Sequence, residues 1–308
     1  MMRSYSAPAK VILFGEHAVV FGEPAISAAI DLRSRVTVRD SAENLLNGMP
    51  LRRDSSPYAF HALELTESSP MEITVESAIP AGGGLGSSAA FSVSLVASLL
   101  GNGSPGRVAE LAFNVELRSQ GRASPIDTST AVHGQGIFVS RETVANELWQ
   151  ISGPSGIWHI GDLRIGRMNI VIGYSGQGAA TGPMVERVRK LCERFEVARE
   201  AISEIGSISL EAKRALERND IVTLGSLMDR NQKLLSVVGV STRRLEKLIQ
   251  AVAPYSYGAK LTGAGGGGSI IALTDRPEKA AGAISLLGGV PYICRTGETG
   301  LRREEDEG

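Results

Sequence analysis

Pro80 to Ala90 reads PAGGGLGSSAA. It follows a strand-like run, Met71–Glu76 (MEITVE), and opens an apolar stretch whose pattern predicts a helix from about Ser87 to Leu100. Gly82, Gly83, Gly84 and Gly86 fall within five positions, more glycine than a strand-to-helix turn requires. Glycine lets the backbone approach a bulky anion and aim several N–H groups at it. The helix N-terminus behind the loop adds a partial positive charge, so the site favours phosphate. Ser87 and Ser88 either cap the helix or bring a hydroxyl to a divalent cation. No Gly-Lys-Ser/Thr follows, so this is not a Walker loop.

The chain that carries this loop has 308 residues, enough for about two domains. Its 32 Lys plus Arg balance 33 Asp plus Glu, which argues against a nucleic-acid binder. Glycine is the outlier at 36 residues, well above the usual share of about 7%. The two cysteines, Cys192 and Cys294, sit in no CxxC or His/Cys cluster, so neither a zinc site nor a disulfide framework is expected, and a cytoplasmic setting fits. The N-terminal stretch lacks the apolar core of a secretory signal. Ser77–Gly106 is uncharged, but glycines, Pro80 and serines break it, so it reads as a buried helix behind a loop, with no membrane span.

Strands are expected at Lys10–Phe14 (KVILF), at Pro24–Leu32 and at Ser34–Arg39, which alternates with period two. Residues 41–70 read as a loop or lid with one short helix. Ser104-Pro105 opens a helix in which Glu116 lies beside the apolar stripe of Val108, Leu111, Ala112 and Val115; by the pattern alone it reads as a glutamate at the surface edge, and if drawn inward the carboxylate needs a partner. Residues 140–165 suit a connection, dividing the chain into domains 1–150 and 151–308. The second half opens with a strand (Met168–Tyr174) and a glycine loop. One long helical stripe then runs from Val185 through Val188, Cys192, Phe195 and Ala198 to Ile205, and further helices follow to about 253. Two strands (Ser269–Thr274, Val290–Cys294) around a helix (Glu278–Leu287) close an α+β fold. The tail from Arg302 is expected to fray.

Gly263–Gly268 (GAGGGG) matches GxGxxG, yet a strand-like run follows it where a dinucleotide site needs a helix. It reads as a glycine hinge or as a second backbone wall facing the first glycine loop. Lys10 is either a snorkelling lysine or a cation held in a cleft. Glu16-His17 follow the first strand directly, where loops carry function. Asp127, in SPIDT, reads as a loop acid.

SAPAKVILFGEHAVVFGE (Ser6–Glu23), PAGGGLGSSAA and KLTGAGGGG (Lys260–Gly268), in this order, resemble the three signature segments of the GHMP kinases, and the GEHAVVFGE run resembles the mevalonate-phosphorylating members of short archaeal type. The resemblance implies a two-lobed fold, with an N-terminal domain like domain 2 of ribosomal protein S5 and a ferredoxin-like C-terminal domain. It implies Mg²⁺-dependent transfer of the ATP γ-phosphoryl group to the 5-hydroxyl of mevalonate. Pro80 and Gly82–Ser88 (Gly82, Gly83, Gly84, Leu85, Gly86, Ser87 and Ser88) would wrap the phosphates. Ser88 and Glu116 would hold the metal, while Asp127 would be the catalytic carboxylate with Lys10 beside it. Glu16, His17 and Thr181 would line the mevalonate pocket, and Gly263, Ala264 and Gly265 would shape the site near the transferred phosphate. Its partners are then small molecules, and a homodimer is the commonest default. The family also contains kinases of phosphomevalonate and of the mevalonate 3-hydroxyl. A phosphorylated acceptor calls for extra Lys or Arg, which Glu16-His17 does not supply. A non-catalytic regulator should have lost Lys10, Ser88, Glu116 or Asp127, and all four are present.

Overall fold

The computed structural model describes residues 2–178 and 181–305. The chain opens with two long antiparallel strands, β1 (Met2–Phe14) and β2 (Ala25–Asp40), followed by the short β3 (Leu45–Leu46) and β4 (Met49–Pro50). Helix α1 (Pro57–Leu65), strand β5 (Met71–Ser77) and helices α2 (Ser87–Leu100), α3 (Pro105–Gln120) and α4 (Pro125–His133) come next. Strands β6 (Gly136–Ser140), β7 (Glu147–Gly153) and β8 (Gly156–Leu163) complete the first lobe. The second lobe runs through β9 (Asn169–Tyr174), α5 (Thr181–Arg194), α6 (Glu196–Glu217), α7 (Ile221–Val237) and α8 (Arg243–Val252). It closes with β10 (Gly258–Thr262), β11 (Ser269–Leu273), α9 (Pro277–Leu286) and β12 (Val290–Arg295), before β13 (Arg302–Arg303) returns to pair with β1.

The first sheet is ordered β4-β3-β5-β2-β6-β8-β7, with β1 and β13 joining at β2. Only the short β3–β5 pairing is parallel among its described ladders. Residues Ala7–Phe14 of β1 are all buried, without alternation. A strand covered on both faces needs no polar side. Here α2 and α4 pack against β1 and β2, and α6 and α7 of the second lobe also contact β1. Beyond Asp31, β2 alternates between buried and accessible residues, as Ser34–Arg39 predicted. The second sheet, ordered β10-β11-β9-β12, is antiparallel throughout. Read as βαββαβ, this is the ferredoxin-like strand order, with the first crossover expanded into α5–α8.

Several expectations change. The polar stretch 140–165 is the β7–β8 hairpin, which adds to the first sheet through β6, so position 150 lies inside a strand. We propose the lobe division at 164–168, between β8 and β9. Residues 41–70 hold β3, β4 and α1. The single helical stripe from Val185 to Ile205 is two helices, broken at Phe195, whose backbone is extended (φ −127°, ψ 125°). The spacing of apolar residues continues across the break, which hid it, while the Arg199 guanidinium donates to the Cys192 carbonyl (2.7 Å) and satisfies one of the last acceptors of α5. Residues 302–303 pair with β1, and the Glu304 amide bonds to the Ser4 carbonyl (2.9 Å), so the tail is held up to that point. Met168 and, in β9, Ile170 and Ile172 share one core with β1, so the two lobes are packed together along a common seam.

Two glycines separate close packing from mere helix entropy. A methyl group at Gly225 in α7 would lie 2.3 Å from the Tyr257 carbonyl oxygen, whereas one at Gly282 in α9 meets nothing within 4 Å. Gly225→Ala is expected to destabilise the fold by about 1–3 kcal/mol and Gly282→Ala to stabilise it by about 0.5–1 kcal/mol, both read by thermal or urea unfolding. Equal effects of the two substitutions would contradict this packing.

Candidate active site

Between the lobes lies a cleft of about 530 Å³. Lys10 enters it from β1, the Pro80–Ser88 loop forms one wall, Asp127 stands on a second side, and Thr181 with the 262–268 loop closes it from the other lobe. The two glycine loops meet backbone to backbone: a methyl group at Gly84 would sit 3.2 Å from the Thr262 carbonyl oxygen, and one at Gly263 would lie 3.4 Å from the Gly84 Cα. The reading of Gly263–Gly268 as a second wall therefore matches its position.

Leu85 is buried and its carbonyl accepts from the Lys10 amide (3.0 Å), pinning the first loop to β1. Gly86 caps α2 with φ +75°, and a Cβ there would press to 2.9 Å from the Lys10 side chain. Only glycine satisfies both demands. The loop thus ends at a well-buried 14-residue helix whose N-terminus faces the cleft with Ser87 and Ser88.

The Lys10 ammonium lies 3.1 Å from an Asp127 carboxylate oxygen and donates to the Gly84 carbonyl at 3.3 Å. Lys10 is 3% exposed and Asp127 29%, so the cation is set behind an acid that keeps access to the cleft. Asp127 is not in a loop. It occupies the first turn of α4, where the Ser124 hydroxyl caps the helix by accepting from the Ile126 amide (3.4 Å) and Pro125 occupies the opening turn. Ser124-Pro125 is the same start signal as Ser104-Pro105, and the following Asp gains from the helix dipole.

Glu116 is buried behind this pair, and its Oε1 has no hydrogen-bond partner. Burial raises its pKa to about 7, the nearby Asp127 charge adds to the rise, and the Ser88 hydroxyl partly opposes it. An orphaned carboxylate oxygen beside a serine hydroxyl suits a hard divalent cation. No group of three or more His, Cys, Asp or Glu side chains forms a metal cluster among the described residues, so phosphate oxygens and water would supply the other ligands. Tyr58, half-buried next to Ser88, has a raised pKa from burial and then from the Glu116 charge.

His17 lines the cleft with its backbone at φ +60°, an uncommon conformation outside glycine. Its Nε2 lies 2.8 Å from the Ala264 carbonyl oxygen across the lobe seam, so Nε2 carries the hydrogen and donates. Burial lowers its pKa, which favours the neutral ring, and leaves Nδ1 as a buried acceptor with no protein partner. Glu16 is placed differently from its neighbour. It does not border the cleft; its carboxylate is fully buried and paired with Lys260 of β10, with the Asn231 amide donating at 3.4 Å. Burial raises the Glu16 pKa and lowers that of Lys260, and the partner's charge opposes each shift.

Lys10, His17, Pro80, Gly82–Ser88, Asp127, Thr181, Gly263, Ala264 and Gly265 thus share one cleft, with Glu116 and Glu16 behind its walls. Sequence reasoning gave no role to Lys260, although a lysine between Ala259 and Leu261 in an apolar strand marks a buried partner. It also passed over Thr262, whose hydroxyl accepts from the Ile12 amide (3.0 Å) and faces the Ile12 carbonyl (3.3 Å), and Tyr58.

Models of two protein domains match this sequence: the GHMP kinases N terminal domain over residues 57–135 and the GHMP kinases C terminal domain over 212–287. The mevalonate kinase of Methanothermobacter thermautotrophicus is 40% identical, over 88% of this chain and 90% of that protein. The chain belongs to the GHMP kinase family. This GHMP kinase is also 34% identical to the mevalonate kinase of Pyrococcus horikoshii, over 97% of each chain. The crystal structure of the Methanococcus jannaschii mevalonate kinase superposes on it with a TM-score of 0.75 at 27% identity, covering 97% of this chain and 98% of that one.

The buried Glu116 carboxyl gives a stability signature. Its pKa in the fold, about 7, exceeds the ordinary 4.5, so the cost of holding its charge is absent below pH 4.5, grows toward pH 7 and is complete above it. Glu116→Gln is expected to raise the melting temperature relative to the parent protein at pH 8, with the advantage shrinking to near zero by pH 4.5. A gap that does not change with pH would contradict the burial of this charge.

Proposed function

We propose that this GHMP kinase is a mevalonate kinase that transfers the γ-phosphoryl group of ATP to the 5-hydroxyl of mevalonate. The Lys10–Asp127 pair set beside two apposed glycine loops carries the reading. One loop offers backbone N–H groups and a helix N-terminus to the phosphates, while the acid waits where an alcohol must stand to be phosphorylated. Identity of 40% to a mevalonate kinase supports the choice of acceptor.

Phosphoryl transfer demands position and charge neutralisation more than covalent participation by the protein. The Gly82–Gly86 backbone and the α2 N-terminus would take the triphosphate, fixing its terminal group in the cleft. Asp127 would accept or orient the proton of the attacking hydroxyl, and Lys10 would hold that carboxylate in place while adding positive charge beside the entering oxygen. His17 would line the acceptor's side of the cleft, its ring fixed by the Ala264 carbonyl. Ser88 and Glu116 would hold Mg²⁺, which would supply neutralisation of the phosphate charge. Walls from two lobes keep bulk water from competing with the alcohol. A mevalonate 3-kinase would need the acid beside the tertiary hydroxyl, and the identity to proteins named mevalonate kinase favours the primary one. Two free buried cysteines and the absence, among the described residues, of any helix long and apolar enough to cross a membrane agree with a cytoplasmic enzyme.

Asp127→Asn is expected to lower kcat by at least about 10²-fold while KM for ATP stays near the parent value, measured by coupled ADP release. Phosphorus NMR of the parent enzyme's product should give a primary phosphomonoester, and full turnover by Asp127→Asn would remove the acid from the mechanism. Glu116→Gln should raise the Mg²⁺ concentration needed for half-maximal rate. An unchanged metal titration would count against its role as a ligand.

A further inference from the structure

A second cavity, of about 560 Å³, adjoins the cleft and shares Val19, Val20, Ser124 and Val185 with it. No residue of either glycine loop lines it. The cations lining the two cavities are Lys10, Arg122 and Arg189. Lys10 is paired with Asp127, and Arg122 lies 3.3 Å from Glu186. Arg189 has no ion pair or hydrogen bond among the described residues. His17, whose pKa burial lowers, brings no charge of its own at neutral pH.

Thr181, Val185 and Arg189 recur every four residues on α5, so they lie on one face of that helix. Thr181 lines the main cleft, Val185 lines both cavities, and Arg189 lines the second. A long guanidinium side chain leans toward the N-terminus of its helix, which here means toward Val185 and the passage between the cavities. An acid whose terminal hydroxyl meets Asp127 and whose body runs along Thr181 and Val185 brings its far end to the second cavity. A carboxylate delivered there needs a cation.

From this geometry, and resting on the mevalonate kinase reading, we infer that Arg189 is the specificity-determining residue that pairs with the carboxylate of the acceptor. Its planar fork suits two parallel hydrogen bonds to a carboxylate. The surrounding Val19, Val20 and Val185 side chains shield the pair from part of the solvent and suit the acceptor's methyl group. The inference makes the enzyme selective for hydroxy acids over neutral alcohols of the same shape, a property that neither the glycine loops nor the Lys10–Asp127 pair supplies.

The experiment compares mevalonate with its neutral primary amide as acceptors for the parent enzyme, Arg189→Ala, Arg189→Lys and Arg122→Ala. Unfolding curves first establish that each variant is folded, as expected for changes at exposed side chains. For Arg189→Ala, KM for mevalonate should rise about ten- to a hundredfold with kcat and KM for ATP little changed. KM for the amide should stay at the parent value, so that the preference for acid over amide disappears, and Arg189→Lys should restore part of it. A parent-like preference in Arg189→Ala, an equal rise in KM for both acceptors, or loss of the preference in Arg122→Ala alone would overturn the assignment to Arg189. A parent enzyme that turns over neither acceptor would instead refute the mevalonate kinase reading on which it rests.

Discussion

The cleft exists because a carboxylate from one lobe is buried against an ammonium from the other. Glu16, at the end of the first strand, and Lys260, in the second sheet, are both 0% exposed. A lone charge at either position would carry a large desolvation penalty, so neither lobe can draw away without stranding its partner. Around this pair the Thr262 hydroxyl meets the Ile12 backbone, and the His17 ring meets the Ala264 carbonyl. All these contacts join the end of β1 to the approach of the second glycine loop. They set the separation of the two walls that any phosphate-bearing ligand must fit between.

The same seam explains the division of labour among the acidic groups. Glu16 is spent on architecture, with no surface left toward the cleft. Asp127 is held by Lys10 yet stays accessible, which suits a group that must meet a substrate proton. Glu116 is buried without a full set of partners, and burial together with the Asp127 charge raises its pKa to about 7. The three carboxylates thus differ in their surroundings far more than in their chemistry, and those surroundings come from elements far apart in the chain.

Much of the fold was legible because its signals are local. The alternation of Ser34–Arg39, the glycine loop opening α2, and the Ser-Pro start of α3 each rest on a few consecutive residues. Misreadings arose where local signals competed or fell silent. The hairpin at 147–163 is polar because much of it lies at the edge of the sheet, so it looked like a linker. The stripe from Val185 to Ile205 kept its period across the break at Phe195. The tail from Arg302 is charged, and the edge of β1 together with the Arg35 side chain of β2 gives it partners. Ser124-Pro125 carried a helix-start signal, but the short helix behind it is too modestly patterned to announce itself.

The sequence by itself determined the glycine loop that opens α2, since four glycines before a helix are a local signal, and it determined the order of the signature segments that place the chain among the GHMP kinases. It named Lys10, His17, Glu116 and Asp127 without being able to say which of them meet. Tertiary structure decided that Lys10 pairs with Asp127, that Glu16 turns inward to Lys260, and that Arg189 lines the neighbouring cavity without an ion pair among the described residues. Such pairings depend on burial and on distances between residues hundreds of positions apart. A linear pattern carries neither, because the energy of a charge is set by what surrounds it in space.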